Sequence, residues 1–363
     1  MLIGRIIKGI AGFYYVDIPE IGIYECRARG IFRKDGKKPL VGDLAGIEVT
    51  HEGDKEGNLI EIIPRKNELF RPAAANVDQA LVLFALRSPD PNLMVLDRFL
   101  IAMQQQNVPA AICFNKTDLA RDGEVEALAR AYEKCGAKLF FISLENSEEL
   151  ASPDESTETK ASPKEPEAGR RPGRTASTES DATNASEEET GNTCPSRKER
   201  VQGSSEDSTS CLRAADGLLA LRGFLEGKTT LLAGPSGVGK STLTNACQSG
   251  IRMETGEISR KLLRGKNTTR HAQLIPAGGG TYLMDTPGFT FLETRDLPKE
   301  NLRFFYPEFT PYEGRCRFDG CTHIHEPDCR VREALAAGDI SKTRYENYTH
   351  IYADLAEQEK HRY

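Results

Sequence analysis

The sequence predicts a multidomain chain in three parts. These are a five-stranded N-terminal β-barrel, a central doubly wound α/β domain and a small C-terminal α-helical module stapled by a metal. Three patterns carry that expectation. Short strands crowd residues 1–66, apolar strands alternate with amphipathic helices from Asn76 onward, and three cysteines with a histidine gather between 316 and 329. The expected domains are 1–66, 67–295 and 296–363, with a disordered insertion at about 146–215 inside the second.

In the first part, residues 2–8, 13–18, 21–32, 44–50 and 59–63 are rich in β-branched or aromatic residues and are separated by Gly, Pro and Asp. Five strands in so short a span suit a small barrel of the oligonucleotide-binding type (OB-fold). Arg27, Arg29, Arg33, Lys34, Lys37 and Lys38 form a basic run compatible with RNA contact, although such runs are often solvated loops.

In the second part, 79–86, 110–114 and 139–142 are apolar runs of buried-strand type, while 96–106 and 124–135 have helical periodicity. The pattern then breaks. Residues 147–212 hold 15 Asp/Glu and 8 Lys/Arg, a net of −7, and are dense in Ser, Thr, Pro and Ala. Such a composition cannot bury enough apolar surface to offset the entropy of ordering. The whole chain carries −6, so the remainder is −6 minus −7, or +1, which leaves room for local basic patches. The pattern resumes with an amphipathic stretch at 217–225, strands at 229–233 and 281–284, and a helix at 240–248. Two helices, near 331–337 and 341–361, end the chain.

Composition also limits the class. The apolar run 80–86 is too short to span a bilayer and residues 1–10 lack a signal-peptide layout, so a soluble cytosolic protein without membrane contact is expected. Nine cysteines raise the question of disulfides, but three of them cluster with a histidine at metal-ligand spacing, which favours reduced thiols.

Gly234, Pro235, Ser236, Gly237, Val238, Gly239, Lys240 and Ser241 match the G-x-x-x-x-G-K-S phosphate loop, between an expected strand and an expected helix. Backbone N–H groups of such a loop converge on phosphate oxygens, and the helix that follows offers its positive end to the anion. Lys240 is the residue to reach the β- and γ-phosphates, Ser241 to ligate Mg²⁺, and Thr242 to complete the phosphate side. The loop does not name the base, and its wording also resembles guanylate kinases.

Asn115, Lys116, Thr117 and Asp118 decide the base. They follow a buried strand, and the Asp118 carboxylate can accept from guanine N1–H and the 2-amino group, which adenine cannot match. Asn115 can brace the loop, the Lys116 stem can cover the base, and Ser143 after the next strand is a further base-side contact. Asp285, Thr286, Pro287 and Gly288 end another apolar strand. Asp285 is placed to hold Mg²⁺ through water and Gly288 N–H to meet the γ-phosphate. A second metal-side ligand is Thr268 or Thr269, and spacing does not choose between them. Base, phosphate and magnesium motifs thus come in an order that circularly permutes the usual phosphate, magnesium, base, so this is a permuted P-loop GTPase domain. Where many GTPases place a water-orienting Gln after the D-x-x-G glycine, this chain has Phe289. Asn267 and His271 are the nearby polar residues that could act in catalysis.

Cys316, Cys321, His323 and Cys329 form a Cys₃His set within fourteen residues. Four such ligands close a tetrahedral Zn²⁺ site with no open position, which is structural. His325 is read as a spare.

Together these residues resemble the ribosome small-subunit-dependent GTPase A family (RsgA, also called YjeQ). The resemblance rests on the base-first order, Arg71-Pro-x₃-Asn76-Val-Asp78, the nucleotide motifs, Asp285-Thr-Pro-Gly-Phe289 and the Cys316-to-Cys329 run. It implies an oligonucleotide-binding barrel, a permuted GTPase with GTP as substrate, and a zinc module. It also implies a monomer that binds the small (30S) ribosomal subunit and its 16S rRNA late in maturation and is stimulated by it. The chain departs from the family in three places. Asn267 stands where the family often has His, Ser143-Leu144 replaces Ser-Ala, and the insertion is not typical. Two other readings compete: a nucleotide kinase, and a GTP-gated RNA-binding module with negligible turnover.

Overall fold

The computed structural model describes residues 1–28, 32, 38–144, 214–249, 272–285 and 297–361. The N-terminal strands β1 (Leu2–Ile10), β2 (Phe13–Ile18), β3 (Gly22–Ala28), β4 (Leu44–His51) and β5 (Glu56–Ile62) close into a barrel in the order β1-β2-β3-β5-β4. All neighbours are antiparallel except β3 and β5, which run parallel and seal the ring. Closure leaves no sheet edge, and alternation turns Ile6, Val16, Ile18, Tyr24, Cys26, Ile47 and Leu59 into its interior. Each such aliphatic or aromatic side chain contributes about 1.5–3 kcal/mol on burial.

A linker carrying the two-residue strands β6 (Glu68–Leu69) and β7 (Ala74–Ala75) leads to the second domain. Its polar residues clasp the barrel to the base of the sheet. Arg65 grips the fully buried Asp43 with two hydrogen bonds (2.7 and 2.9 Å). Asn76 takes Lys66 N on its Oδ1 (2.7 Å) and donates from Nδ2 to Gly42 O (3.0 Å), while Asp78 accepts from Thr229 N (2.9 Å). Gly42, at φ +96, lies so close to the linker that a Cβ would sit 2.0 Å from Ala75 O. This gives the Arg71-to-Asp78 motif a structural role that its spacing did not disclose.

The second domain holds β8 (Gln79–Ala85), α1 (Leu93–Gln105), β9 (Ala110–Asn115), α2 (Glu124–Tyr132), β10 (Lys138–Phe141), α3 (Ala214–Leu225), β11 (Thr229–Ala233), α4 (Lys240–Ser249), β12 (Gln273–Pro276) and β13 (Tyr282–Asp285). They form one six-stranded sheet, β10-β9-β8-β11-β13-β12. The first five strands are parallel, and every residue of β8 and β11 is buried, as helices on both faces require. One apolar layer packs Leu218, Leu221, Leu225 and Leu243 on the sheet; the opposite layer packs Leu96, Phe99, Leu128 and Tyr132. The sequence reading did not include β12, an antiparallel edge strand that ends in proline and alternates too little to stand out. Its turn signal, Gly278-Gly279-Gly280 at positive φ before β13, was available.

The C-terminal part begins with 3₁₀ turns Lys299–Phe305 and Pro307–Tyr312, runs through the Cys/His segment, and ends in α5 (Arg330–Ala337) and α6 (Lys342–Lys360). Gly338 at φ +84 stops α5, and the Ser341 side chain caps α6 through Arg344 N. Tyr306, Phe309, Tyr348, Ile351 and Leu355 make its core, and Ile101 of α1 joins them, so α1 is packed on both sides. No helix among the described residues is long and apolar enough to cross a membrane.

Candidate nucleotide site and Cys/His cluster

β11 delivers the phosphate loop and α4 begins at Lys240, so the strand–loop–helix context required of this motif is present. Two glycines are dictated by close approach. Gly234, at φ +140, would place a Cβ 2.1 Å from Leu83 O of β8, and Gly239, at φ +104, would place one 2.4 Å from Asn115 Nδ2. A Cβ at Gly234 would collide with backbone, and one at Gly239 would displace the Asn115 amide; both positions also have the positive φ that favours glycine. Lys240 Nζ donates to the loop carbonyls Gly234 O (2.8 Å) and Pro235 O (2.6 Å). Burial lowers its pKa, against the opposing pull of Asp285. Strand register explains that proximity: Asp285, the last residue of β13, pairs with Leu232 of β11, two residues before the phosphate loop begins. Ser236, Gly237, Ser241 and Thr242 are exposed at the mouth, while Val238 is buried beneath it.

The base-reading loop is stitched to the phosphate loop. Asn115, 2% exposed at the end of β9, donates from Nδ2 to Val238 O (2.9 Å) and accepts Leu144 N on Oδ1 (3.2 Å). One amide therefore ties together three loops at the carboxyl ends of β9, β10 and β11, where doubly wound sheets bind ligands. Lys116 is held at φ +62 with its Nζ on Ser88 O. Thr117 N donates to Ile142 O (3.1 Å), and Asp118 is exposed with Oδ1 hydrogen bonded by Ser143 Oγ. Ser143, expected as a further base-side contact, thus hydrogen-bonds the carboxylate expected to read guanine. Thr268, Thr269, Asn267, His271, Gly288 and Phe289, together with the basic residues Arg29, Arg33, Lys34 and Lys37 and the 146–213 stretch, lie outside the described residues.

The third grouping is Cys316, Cys321, His323 and Cys329, whose donor atoms all lie within 4.8 Å of one another. A zinc tetrahedron with Zn–S of about 2.3 Å and Zn–N of about 2.0–2.1 Å needs S···S edges near 3.8 Å and S···N edges near 3.5 Å. Here Cys316 Sγ to Cys329 Sγ is 4.0 Å, and His323 Nδ1 lies 3.6 Å from Cys316 Sγ and 3.3 Å from Cys329 Sγ. The supports fit too. The other histidine nitrogen, Nε2, meets Glu313 Oε1 at 2.9 Å, which fixes the ring with Nδ1 inward, and Arg330 N donates to Cys316 Sγ (3.4 Å). Glu326 organises the turn between the ligands by accepting from Thr322 N, Thr322 Oγ1, Ile324 N and His325 N. Burial alone would raise its pKa, yet these hydrogen bonds, the Thr322 hydroxyl's first, carry it down to about 2. His325 is exposed and outside the cluster.

Comparison with known proteins agrees with this geometry. The RsgA GTPase family model matches residues 62–162 and 187–295, and the RsgA N-terminal domain model matches 3–58.

The chain belongs to the RsgA GTPase family.

As an RsgA GTPase it hydrolyses GTP, an activity that requires Mg²⁺ with the nucleotide. It is 41% identical to the small ribosomal subunit biogenesis GTPase RsgA of Agathobacter rectalis over 99% of both chains. It is 39% identical to the protein of that name from Caldanaerobacter subterraneus, over 99% of this chain and 98% of the other. Among solved structures, YjeQ from Thermotoga maritima superposes with a TM-score of 0.65 at 25% identity, covering 98% of each chain. YloQ, described as a circularly permuted GTPase, gives 0.63 at 30% identity over 99% of this chain and 96% of that one. The nucleotide-kinase alternative has no support in these matches. The sequence reading of this RsgA GTPase missed two features. One is the service of Glu313 and Glu326 to the Cys/His cluster, for which Glu326 three residues after His323 is a weak signal. The other is a buried charge group, Asp97, Glu308 and Arg344, which contacts across sequence separations of up to 247 and leaves no local pattern.

Proposed function

We propose that this RsgA GTPase is an assembly factor for late maturation of the small ribosomal subunit, with 16S rRNA as its main contact and GTP hydrolysis as its switch. The printed names of its relatives at 41% and 39% identity support that role. The observation that carries the site assignment is the Asn115 amide joining the base-reading loop to the phosphate loop. It makes guanine recognition and phosphate binding parts of one rigid body.

In this reading Asp118 accepts from guanine, Ser143 orients it, and Lys116 and Thr117 flank the base. Residues 234–242 cradle the phosphates, with Gly288 N–H at the γ-phosphate. Ser241 and Asp285 would hold Mg²⁺ together with Thr268 or Thr269; the ion, when bound, neutralises charge on the β- and γ-phosphates. Lys240 draws charge from the transferring group. Phe289 offers no polar atom to the attacking water, so positioning of that water is the weak link, and positioning is a large part of phosphoryl-transfer catalysis. Asn267 or His271 supplies it in the subunit-bound state. The domains run 1–66, 67–295 and 296–363, with 146–215 a spacer, and the protein works as a cytoplasmic monomer. Cys316, Cys321, His323 and Cys329 hold one structural Zn²⁺; the edge lengths and the Glu313 support favour that ion.

Co-sedimentation with purified small subunits at fixed salt tests the role. The protein should pellet with subunits in a non-hydrolysable GTP analogue and be released in GDP. Equal, weak pelleting in both states would contradict it.

A further inference from the structure

Three phenylalanines stand exposed among the described residues, Phe70, Phe304 and Phe318, at 81, 55 and 45%. Single exposed apolar side chains are ordinary on protein surfaces. These three share a construction that single exposures do not. Each has an arginine as its sequence neighbour, and in each the guanidinium lies over the ring: Arg71 at 5.8 Å, Arg303 at 4.7 Å and Arg317 at 5.6 Å from the centroid.

They also belong to one connected rim. The backbone N–H groups of Phe70 and Arg71 donate to Gln106 Oε1 (3.0 and 3.4 Å), at the C-terminal cap of α1. On the same turn, Gln104 Nε2 donates to Phe304 O (3.3 Å). Arg303 then donates from Nη1 to Cys321 O (2.7 Å), in the Cys/His segment that carries Phe318. Hydrogen bonds therefore run from the interdomain linker over the end of α1 to the Cys/His module, and a Phe–Arg pair stands at each stage.

The chemistry of the pairs selects a partner. A purely apolar docking face would not need a cation over each ring. A ring with a guanidinium beside it matches an unpaired nucleotide, whose base stacks on the aromatic face while its phosphate takes the cation. The cations are available to different degrees. No carboxylate among the described residues pairs with Arg71. Arg317 meets Asp328 at 3.0 Å, but both are 65% exposed, so that pair exchanges readily with a phosphate. Arg303 lies 3.9 Å from Glu313 and is held chiefly by Cys321 O, which makes it a fixed support for Phe304.

We propose that Phe70, Phe304 and Phe318, each with its neighbouring arginine, form a binding surface for unpaired RNA nucleotides along the linker, the end of α1 and the Cys/His module. The surface rests on the ribosomal reading above for its biological setting, but its chemistry can be tested alone. The test compares the zinc-loaded full chain with Phe70→Leu/Phe304→Leu/Phe318→Leu, which keeps apolar bulk and removes the rings, and with the matching triple Phe→Tyr change, which keeps them. The probe is a fluorescent mixed-sequence single-stranded 12-nucleotide RNA, with a duplex of equal length as comparison, at fixed salt. The leucine variant should bind the single strand at least about tenfold more weakly, the tyrosine variant within about twofold of the parent, and the duplex equally in all three. GTP affinity and basal hydrolysis should be unchanged in every variant. A parent that fails to bind the single strand, or a leucine variant that binds as the parent does, overturns the proposal. So does a leucine variant that loses small subunits while keeping its RNA affinity, since the rings would then face a protein. Failure of the assembly-factor reading would show separately, as an unmutated protein that binds the oligonucleotide but is indifferent to small subunits.

Discussion

Replacing Arg344 with methionine should unseat the C-terminal module from the GTPase domain. Arg344 is 2% exposed and stands between two buried carboxylates on different parts of the chain. It donates from Nε and Nη2 to Glu308 (2.7 and 3.2 Å) and from Nη1 to Asp97 of α1, which also receives Asn347 Nδ2 (2.8 Å). Its guanidinium lies over the rings of Tyr306 (4.4 Å) and Tyr132 (5.3 Å). Methionine fills much of the volume but leaves both carboxylates without their cation. Breaking a buried pair from one side costs about 3–5 kcal/mol, and two orphaned acids put this case at the upper end. At about 2–4 °C per kcal/mol for a unit of this size, the unfolding midpoint should fall by roughly 8–20 °C. The loss should also depend on pH. Burial holds the Asp97 carboxyl above its ordinary range, with Arg344 pulling it back, so removing Arg344 raises it further. An acid whose folded pKa is raised gives stability that is present below its unfolded pKa and lost as pH rises through the folded one. The variant should therefore lose less at pH 5 than at pH 8, and Asp97→Asn with Glu308→Gln should recover most of the loss. Calorimetry with zinc held equimolar reads all three. A shift below about 2 °C, or one that is the same at both pH values, would refute the reasoning.

Asp118→Asn should weaken GTP binding and favour the xanthine nucleotide, whose 2-position is a carbonyl; equal ATP and GTP affinity in the unmutated protein, by equilibrium titration, would count against Asp118 as the base reader. Protein purified without chelator should contain about one zinc per chain by elemental analysis. Cys321→Ser should lower that content and weaken subunit binding more than nucleotide binding. Glu326, with its carboxyl held at about 2, contributes stability that is present above the ordinary glutamate range and lost as pH falls toward 2. The stability gap between parent and Glu326→Gln should therefore be widest near neutrality and close below pH 4 in denaturant titrations.

Much of this architecture was legible because its signals are local. Residues 80–85 of β8 and 110–114 of β9 are continuous apolar runs, and the phosphate loop announces its glycines at fixed spacing. The structure adds the reason for two of them, since Gly234 abuts Leu83 O and Gly239 abuts Asn115. The Cys/His ligands were legible for the same reason, being confined to fourteen residues. What escaped was built from distant partners. The Arg65–Asp43 and Asn76–Gly42 contacts join segments 22 and 34 residues apart, and Arg344 reaches Asp97 across 247. Neither composition nor periodicity registers such pairings. β12 escaped because an edge strand needs only one partner and tolerates mixed polarity.

The most direct test of the central claim is the rate of GTP hydrolysis with and without purified small ribosomal subunits. Phe289 in place of a water-orienting glutamine predicts a slow basal rate and strong acceleration by the subunit. Asn267→Ala or His271→Ala should then reduce chiefly the stimulated rate, and Lys240→Ala should abolish both. A fast basal rate that small subunits leave unchanged would contradict the account.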